Sequence, residues 1–234
     1  MRLIVLDTET SDLPENGGKM IELAWVALQS PDWKPISSYE HYIQYNGPLS
    51  PKAQAQNHIE PIMLTETNGA VKREDAVADL LHAIEPDTIL VAHNVAFDRQ
   101  FLPELTRPWL CTFRASKHIW PEAPGHSNQV LRYWLGVKPD LSIAADIKVR
   151  MPHQALYDVA TTTGILQLML KQHSPEHLQL IAGKPARLKS MTFGKHKGKS
   201  FHDIPCDYLV WLRKQTNLDE DVRYTIDSVL SGQQ

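Results

Sequence analysis

The chain opens with four consecutive apolar residues, Leu3-Ile4-Val5-Leu6, which predict a strand buried on both faces rather than one with a solvated side. Two further strand-like runs, Met20 to Leu28 and Tyr39 to Tyr45, are set off by turn chemistry at 12–18 and 30–32. Three early strands joined by short turns read as an antiparallel meander. The period then changes. Ala76, Val77, Leu80, Leu81 and Ile84 recur at helical spacing and lead into an apolar strand, Thr88 to Ala92, as in an α/β crossover. Helical patterns follow over Phe97 to Leu105, Ser127 to Leu135 and, most strongly, Ala155 to Lys171, where Leu156, Val159, Ala160, Thr163 and Leu166 share a face. The class is α/β, a mixed sheet with helices packed on it.

Beyond Pro175 the pattern weakens and the composition shifts. Gly183 to Ser200 holds Lys184, Arg187, Lys189, Lys195, Lys197 and Lys199 with no acidic residue. Two helices are predicted after it, Asp207 to Gln215 with Tyr208, Trp211 and Leu212 on one face, and Asp219 to Leu230 ended by Gly232. The division is therefore a domain over 1–174, a linker over 175–187 and a small basic α+β module over 188–234, in which two strands joined by a glycine-containing turn cover a mini-core. The turn is no phosphate-binding P-loop: only three residues separate Gly194 from Gly198-Lys199-Ser200, and that pattern needs four.

Composition bounds the rest. With 234 residues, 42% hydrophobic and 22% charged, disorder, collagen and coiled coil are excluded. The net charge of −3 conceals a division: residues 1–180 carry 15 Lys and Arg against 21 Asp and Glu, while 181–234 carry 9 against 6. Cys111 and Cys206 form no paired pattern, which argues against disulfides and cysteine-held zinc. The first apolar run is too short for a signal sequence and nothing approaches 18 apolar residues, so a water-soluble, cytoplasmic protein without membrane partners is expected.

Three short motifs carry candidate chemistry. In Asp7-Thr8-Glu9 the strand period turns both carboxylates to one side, and two acids ending a buried strand call for a cation. His93-Asn94-Val95-Ala96-Phe97-Asp98 lies where a strand enters a helix, with Asn94 as N-cap and Asp98 in the first turn. His153 precedes the longest helix by a short loop and Asp158 lies in its first turns. Each has a plainer alternative: a solvated strand end, a helix cap, a surface histidine. The spacing H-x-x-x-x-D also recurs at His82, His93 and His202, so spacing alone selects nothing.

The order D-x-E, N-x-x-x-D, H-x-x-x-x-D resembles the DEDDh subgroup of the DnaQ-like 3′-to-5′ exonucleases, over the first 172 or so residues. The subgroup with a tyrosine base fits less well, since its tyrosine position is Gln154 here and Tyr157 is misplaced. The resemblance implies a ribonuclease H-like fold with a mixed five-stranded sheet flanked by helices. It implies that Asp7, Glu9, Asp98 and Asp158 hold two Mg²⁺ or Mn²⁺ ions, with His153 as general base. It gives substrate contacts to Thr10, Leu13, Asn94 and Phe97. Ser50-Pro51-Lys52-Ala53 also fits the family, but Asn57 and Glu60 stand where it has histidine and threonine, so His58 receives no role.

The tail resembles an F-G-K-x-x-G-K module that follows the nuclease in one bacterial branch, and its Lys195 and Lys197 are expected to grip phosphates. The implied activity is release of nucleoside 5′-monophosphates from single-stranded or duplex DNA 3′ ends, in repair or end processing. Two alternatives stand beside it: an RNA-trimming 3′-to-5′ exoribonuclease of the same superfamily, and a non-catalytic nucleic-acid-binding module.

Overall fold

The computed structural model describes residues 1–140 and 151–232. Five strands, β1 (Arg2–Thr10), β2 (Met20–Gln29), β3 (Lys34–Tyr42), β4 (Thr88–Ala92) and β5 (Trp109–Cys111), form one sheet in the order β3-β2-β1-β4-β5. The meander is antiparallel and β4 and β5 are added in parallel. This is the mixed, helix-flanked, ribonuclease H-like sheet.

The apolar run in β1 is explained by cover on both faces. Leu3 and Val5 join a core with Ala155, Leu156, Val159 and Leu166 of α6 (Ala155–Leu170). Ile4 and Leu6 join the opposite core, with Ala76, Val77 and Leu80 of α2 (Arg73–Ala83) and Phe101 of α3 (Val95–Phe101). Nine consecutive residues of β2, Met20 to Leu28, are buried for the same reason. The edge strand β3 begins five residues before the expected Tyr39. Its first half, Lys34 to Ser37, is exposed and contains Pro35, which an edge strand tolerates but which erases the hydrophobic alternation.

Several elements leave little trace in the hydrophobic pattern. Helix α1 (Pro51–Asn57), β5 and α4 (Thr112–Ile119) were not expected, while α5 (Asn128–Leu135) follows the expected Ser127. The stretch expected as a linker contains α7 (Pro175–Ala182), whose Leu178 and Ala182 are buried in the core shared with α6.

The C-terminal module has α8 (Cys206–Arg213) and α9 (Glu220–Ser231) around Met191, Phe201, Leu209, Leu212, Val222 and Ile226. Its two expected strands reduce to one antiparallel bridge, Ser190 with Ser200, and the turn between them holds a short 3-10 helix. Trp211 is 55% exposed and outside the mini-core. Residues 233 and 234 lie outside the described ones.

The module is fastened to α4. Lys117 Nζ lies 2.6 Å from Asp221 Oδ2, with only 15% and 3% of the side chains exposed. Arg114 donates to the carbonyls of Ala182 and Lys184 and reaches Glu220. Burial would raise the Asp221 pKa, but the Lys117 ammonium and the Ala186 N–H hold it below the usual carboxylate range. Among the described residues no helix is long and apolar enough to cross a membrane.

Candidate active site

The acids converge because three segments end at the same edge of the sheet. Asp7 and Glu9 occupy odd positions of β1, the side of Leu3 and Val5, and therefore face α6. Thr8 points the other way, and its N–H and Oγ1 both donate to Asp98 Oδ1, at 3.1 and 2.9 Å, drawing the first turn of α3 onto β1. Asp158 sits in the first turn of α6, where Gln129 Nε2 of α5 donates to Oδ1 at 2.9 Å and the His153 N–H to Oδ2 at 3.0 Å. That second bond secures His153 in a left-handed conformation, φ 66°, which a non-glycine residue adopts only when its surroundings compensate. His153 itself is exposed at the cleft margin.

Ligand atoms of Glu9, His153 and Asp158 all lie within 4.8 Å of one another. Asp7, Glu9, Asp98, Asp158 and His153 line one cleft of about 720 Å³. Burial and mutual repulsion disfavour ionisation there. Burial, then Asp98 and Asp158, pushes Asp7 well above the usual carboxylate range. Burial and the charge of Glu22 push Glu9 to about 9. Burial raises Asp98 to about 7 against the opposing Thr8 hydrogen bonds, and raises Asp158 against the His153 N–H. Among the described residues none of the four forms an ion pair with a lysine or arginine. Oxygen-rich, crowded and unneutralised, the donor set fits hard divalent cations.

The competing histidines separate on geometry. His93 Nε2 faces the His126 carbonyl at 2.8 Å and Nδ1 faces Thr112 Oγ1 at 2.9 Å. A carbonyl can only accept, so Nε2 carries the proton and Nδ1 accepts from the hydroxyl. Burial pushes the His93 pKa down to about 4, so this imidazole is neutral, occupied on both nitrogens and structural. His82 ends α2, exposed, and His202 lies in the module.

Thr10, Leu13, Asn94 and Phe97 also line the cleft. Leu13 is 49% exposed at the rim, while Phe97 packs on Phe101. Asn94 does precede α3, but in the left-handed region (φ 87°), and its side chain makes no capping bond, so the expected capping role does not hold. Lys195 and Lys197 are exposed on the module and outside the cleft lining.

Two residues of the site, Glu22 and Gln129, have no counterpart among the sequence motifs, and a third, Asn57, appeared there only as a departure from the family's histidine. Glu22, 1% exposed, pairs with Glu9 across β1 and β2, and its Oε2 accepts the Ala155 N–H at 3.1 Å, fixing the start of α6. One acid inside the apolar run Met20 to Leu28 was the available signal. Asn57, buried, donates to the Thr10 carbonyl and borders the cleft, whereas His58 is exposed at the end of α1. Gln129 carried no signal beyond its helix.

Comparison with known proteins agrees with this geometry. The exonuclease family model matches residues 4–166, and a model described as a putative quorum-sensing-regulated virulence factor matches 176–218. Exodeoxyribonuclease 10 of Escherichia coli K12 is 28% identical over 98% of this chain and 99% of its own. The PolC-type DNA polymerase III of Streptococcus mutans is 26% identical over 74% of this chain but 11% of its own length. Exonuclease X in complex with 5′ overhanging duplex DNA superposes with a TM-score of 0.63 at 27% identity, over 77% of this chain and 99% of that one. The nuclease domain of 3′hExo, a DEDDh family member bound to rAMP, shares the fold, with a TM-score of 0.56 at 16% identity over 73% of this chain and 92% of that one. The chain belongs to the DnaQ-like 3′-to-5′ exonuclease family.

Proposed function

We propose that this exonuclease is a cytoplasmic exodeoxyribonuclease that releases nucleoside 5′-monophosphates from DNA 3′ ends, in repair or end processing, using two Mg²⁺ or Mn²⁺ ions. The observation that carries the reading is the convergence of Glu9, Asp158 and His153 within 4.8 Å in a cleft also lined by Asp7 and Asp98. Asp7, Glu9, Asp98 and Asp158 are the residues that would hold the ions. When bound, these supply positive charge and Lewis acidity at the scissile phosphate.

The protein's own groups do the remaining work. His153, on a loop tied to Asp158, takes a proton from the attacking water, the task for which imidazole is suited near neutral pH. The water oxygen bonds to phosphorus, the bond to the 3′ oxygen of the preceding nucleotide breaks, and that oxygen takes up a proton from solvent to become the new 3′ hydroxyl. Gln129 and the His153 N–H keep Asp158 oriented. Leu13 at the rim and Phe97 in the cleft offer apolar surface to the terminal base, with Thr10 and Asn94 beside them. Lys195 and Lys197 hold phosphates further along the strand. Likeness over nearly the full chain to a protein named for deoxyribonuclease activity supports DNA as the polymer.

The test is product analysis on matched 5′-labelled DNA and RNA with Mg²⁺, with Mn²⁺ and with chelator. Stepwise shortening of DNA from the 3′ end, abolished by chelator, is expected. Faster shortening of RNA would overturn the choice of polymer, and efficient cutting of a closed circular strand would overturn action at ends.

A further inference from the structure

The module exposes aromatic surface that its own core does not use. Trp211 is 55% and Phe193 40% exposed. They belong to one surface with the basic turn. The His196 ring stands edge-on to Tyr208 at 4.5 Å, and Tyr208 lies 5.4 Å from Trp211. Gly194, next to Phe193, adopts φ +67°, and a Cβ there would lie 3.6 Å from the Tyr208 hydroxyl. The turn is braced by backbone bonds from Met191 to Lys199, Gly198 to Met191 and Lys199 to His196.

From this braced turn Lys195, Lys197 and Lys199 extend into solvent, and none forms an ion pair among the described residues. Beneath them His196, 7% exposed, has an Nδ1 atom with no hydrogen-bond partner. A buried polar atom left in that state is costly, and a polar ligand reaching beneath the turn would relieve it.

We propose that this surface is a binding site for single-stranded nucleic acid, in which the three lysines take successive phosphates while Trp211 and Phe193 stack on unpaired bases. It rests on the reading of the chain as a nuclease for DNA ends and adds a second place at which the strand is held. Charge complementarity selects a polyanion. The exposed rings select a single strand, because bases in a duplex are already stacked on each other and closed to an aromatic side chain. A pre-braced turn loses little freedom on binding, which favours affinity.

The experiment is fluorescence anisotropy of the full chain with a 5′-labelled oligothymidylate in chelator, so that no strand is cut, repeated over a range of KCl concentrations. Trp211→Ala should weaken binding roughly five- to 150-fold with the salt slope unchanged, as loss of one stacked base does. Trp211→Phe should recover most of the affinity. Changing Lys195, Lys197 and Lys199 together to Gln should lower the slope of log K against log salt by about 2, from roughly 0.7 per phosphate contact on a single strand. A blunt duplex of equal length should respond to the lysine changes and not to Trp211→Ala. Unchanged affinity in Trp211→Ala and unchanged slope in the lysine variant, each melting like the parent, would overturn the proposal. So would a duplex equally sensitive to Trp211→Ala. Hydrolysis of a nitrophenyl ester of thymidine 5′-monophosphate by the parent, with Mg²⁺ restored, reads the acidic cleft alone. Its failure would count against the nuclease site and leave the strand-binding result standing.

Discussion

Asp98→Asn should make the metal-free protein more stable while removing much of what Mg²⁺ adds. Asp98 is 2% exposed, and its pKa is raised from 3.8 to about 7, chiefly by burial. Because the folded value lies above the unfolded one, its stabilising contribution is complete below pH 3.8 and is lost as pH rises through about 7. Three units at ~1.36 kcal/mol each set an upper bound of ~4 kcal/mol. Water in the open cleft and titration of Asp7 and Glu9 alongside reduce this to about 2 kcal/mol, or roughly 4–8 °C in melting temperature for a chain of this size. Asparagine escapes the penalty, since it carries no charge and its amide oxygen can accept both Thr8 hydrogen bonds. The assay is thermal unfolding of parent and variant from pH 4 to 8.5, in chelator and in Mg²⁺. In chelator the curves should meet near pH 4 and separate up to pH 7, with the variant higher. In Mg²⁺ the parent should recover, because a ligand that binds only the folded state stabilises it by mass action. A variant that melts at or below the parent at pH 8 in chelator, or a gap independent of pH, would refute the reasoning.

Other outcomes follow from single contacts. His153→Ala should lose turnover by about 10²- to 10⁴-fold yet retain strand binding by anisotropy; parental turnover would remove His153 as the base. Glu22→Gln should keep a hydrogen-bond acceptor for the Ala155 N–H, whereas Glu22→Ala loses it, so the alanine variant should melt lower in Mg²⁺ by about 1 kcal/mol. Equal melting of the two would show that the bond to α6 contributes nothing. Asp221→Ala leaves the ammonium of Lys117 buried without its partner, at about 3–5 kcal/mol, and adding Lys117→Met should restore much of that loss in a double-mutant cycle. A parental melting curve for Asp221→Ala would mean the module is not packed on α4.

The parts of the fold legible in the sequence are those whose burial is uniform or periodic. β1 and β4 are covered on both faces and read as unbroken apolar runs, and α6 carries apolar residues at helical spacing although its first nine residues are all buried. β3 is half exposed, β5 has three residues, and α1 and α7 are single short helices whose burial depends on what they meet rather than on their own pattern. At the cleft Asp7 and Glu9 were legible because an acid ending a buried strand is costly to ionise unless a cation accompanies it, whereas Asp98, Asp158 and His153 stood out only through the order of the three motifs and its resemblance to the family. Glu22 was not legible, since it acts through a backbone group far away in sequence, Ala155, and Asn57 was visible only as a departure from the family's histidine, its bond to the Thr10 carbonyl 47 positions away being hidden. Trp211 shows the opposite error: helical spacing put it on an inner face, but it is 55% exposed and outside the mini-core.

The pair of Lys117 with Asp221 makes the two regions of the chain poor material for shuffling. A lysine buried on α4 is tolerable only in company with an acid 104 positions later, so a tail exchanged for one lacking that acid would strand a charge in the nuclease itself. The damage would not stay at the seam. Lys117 lies over the ring of Phe113 at 4.5 Å, Phe113 stands edge-on to His93, and His93 is part of the cleft wall. The acid in the tail and the wall of the cleft are thereby joined by one chain of contacts, Asp221 to Lys117 to Phe113 to His93.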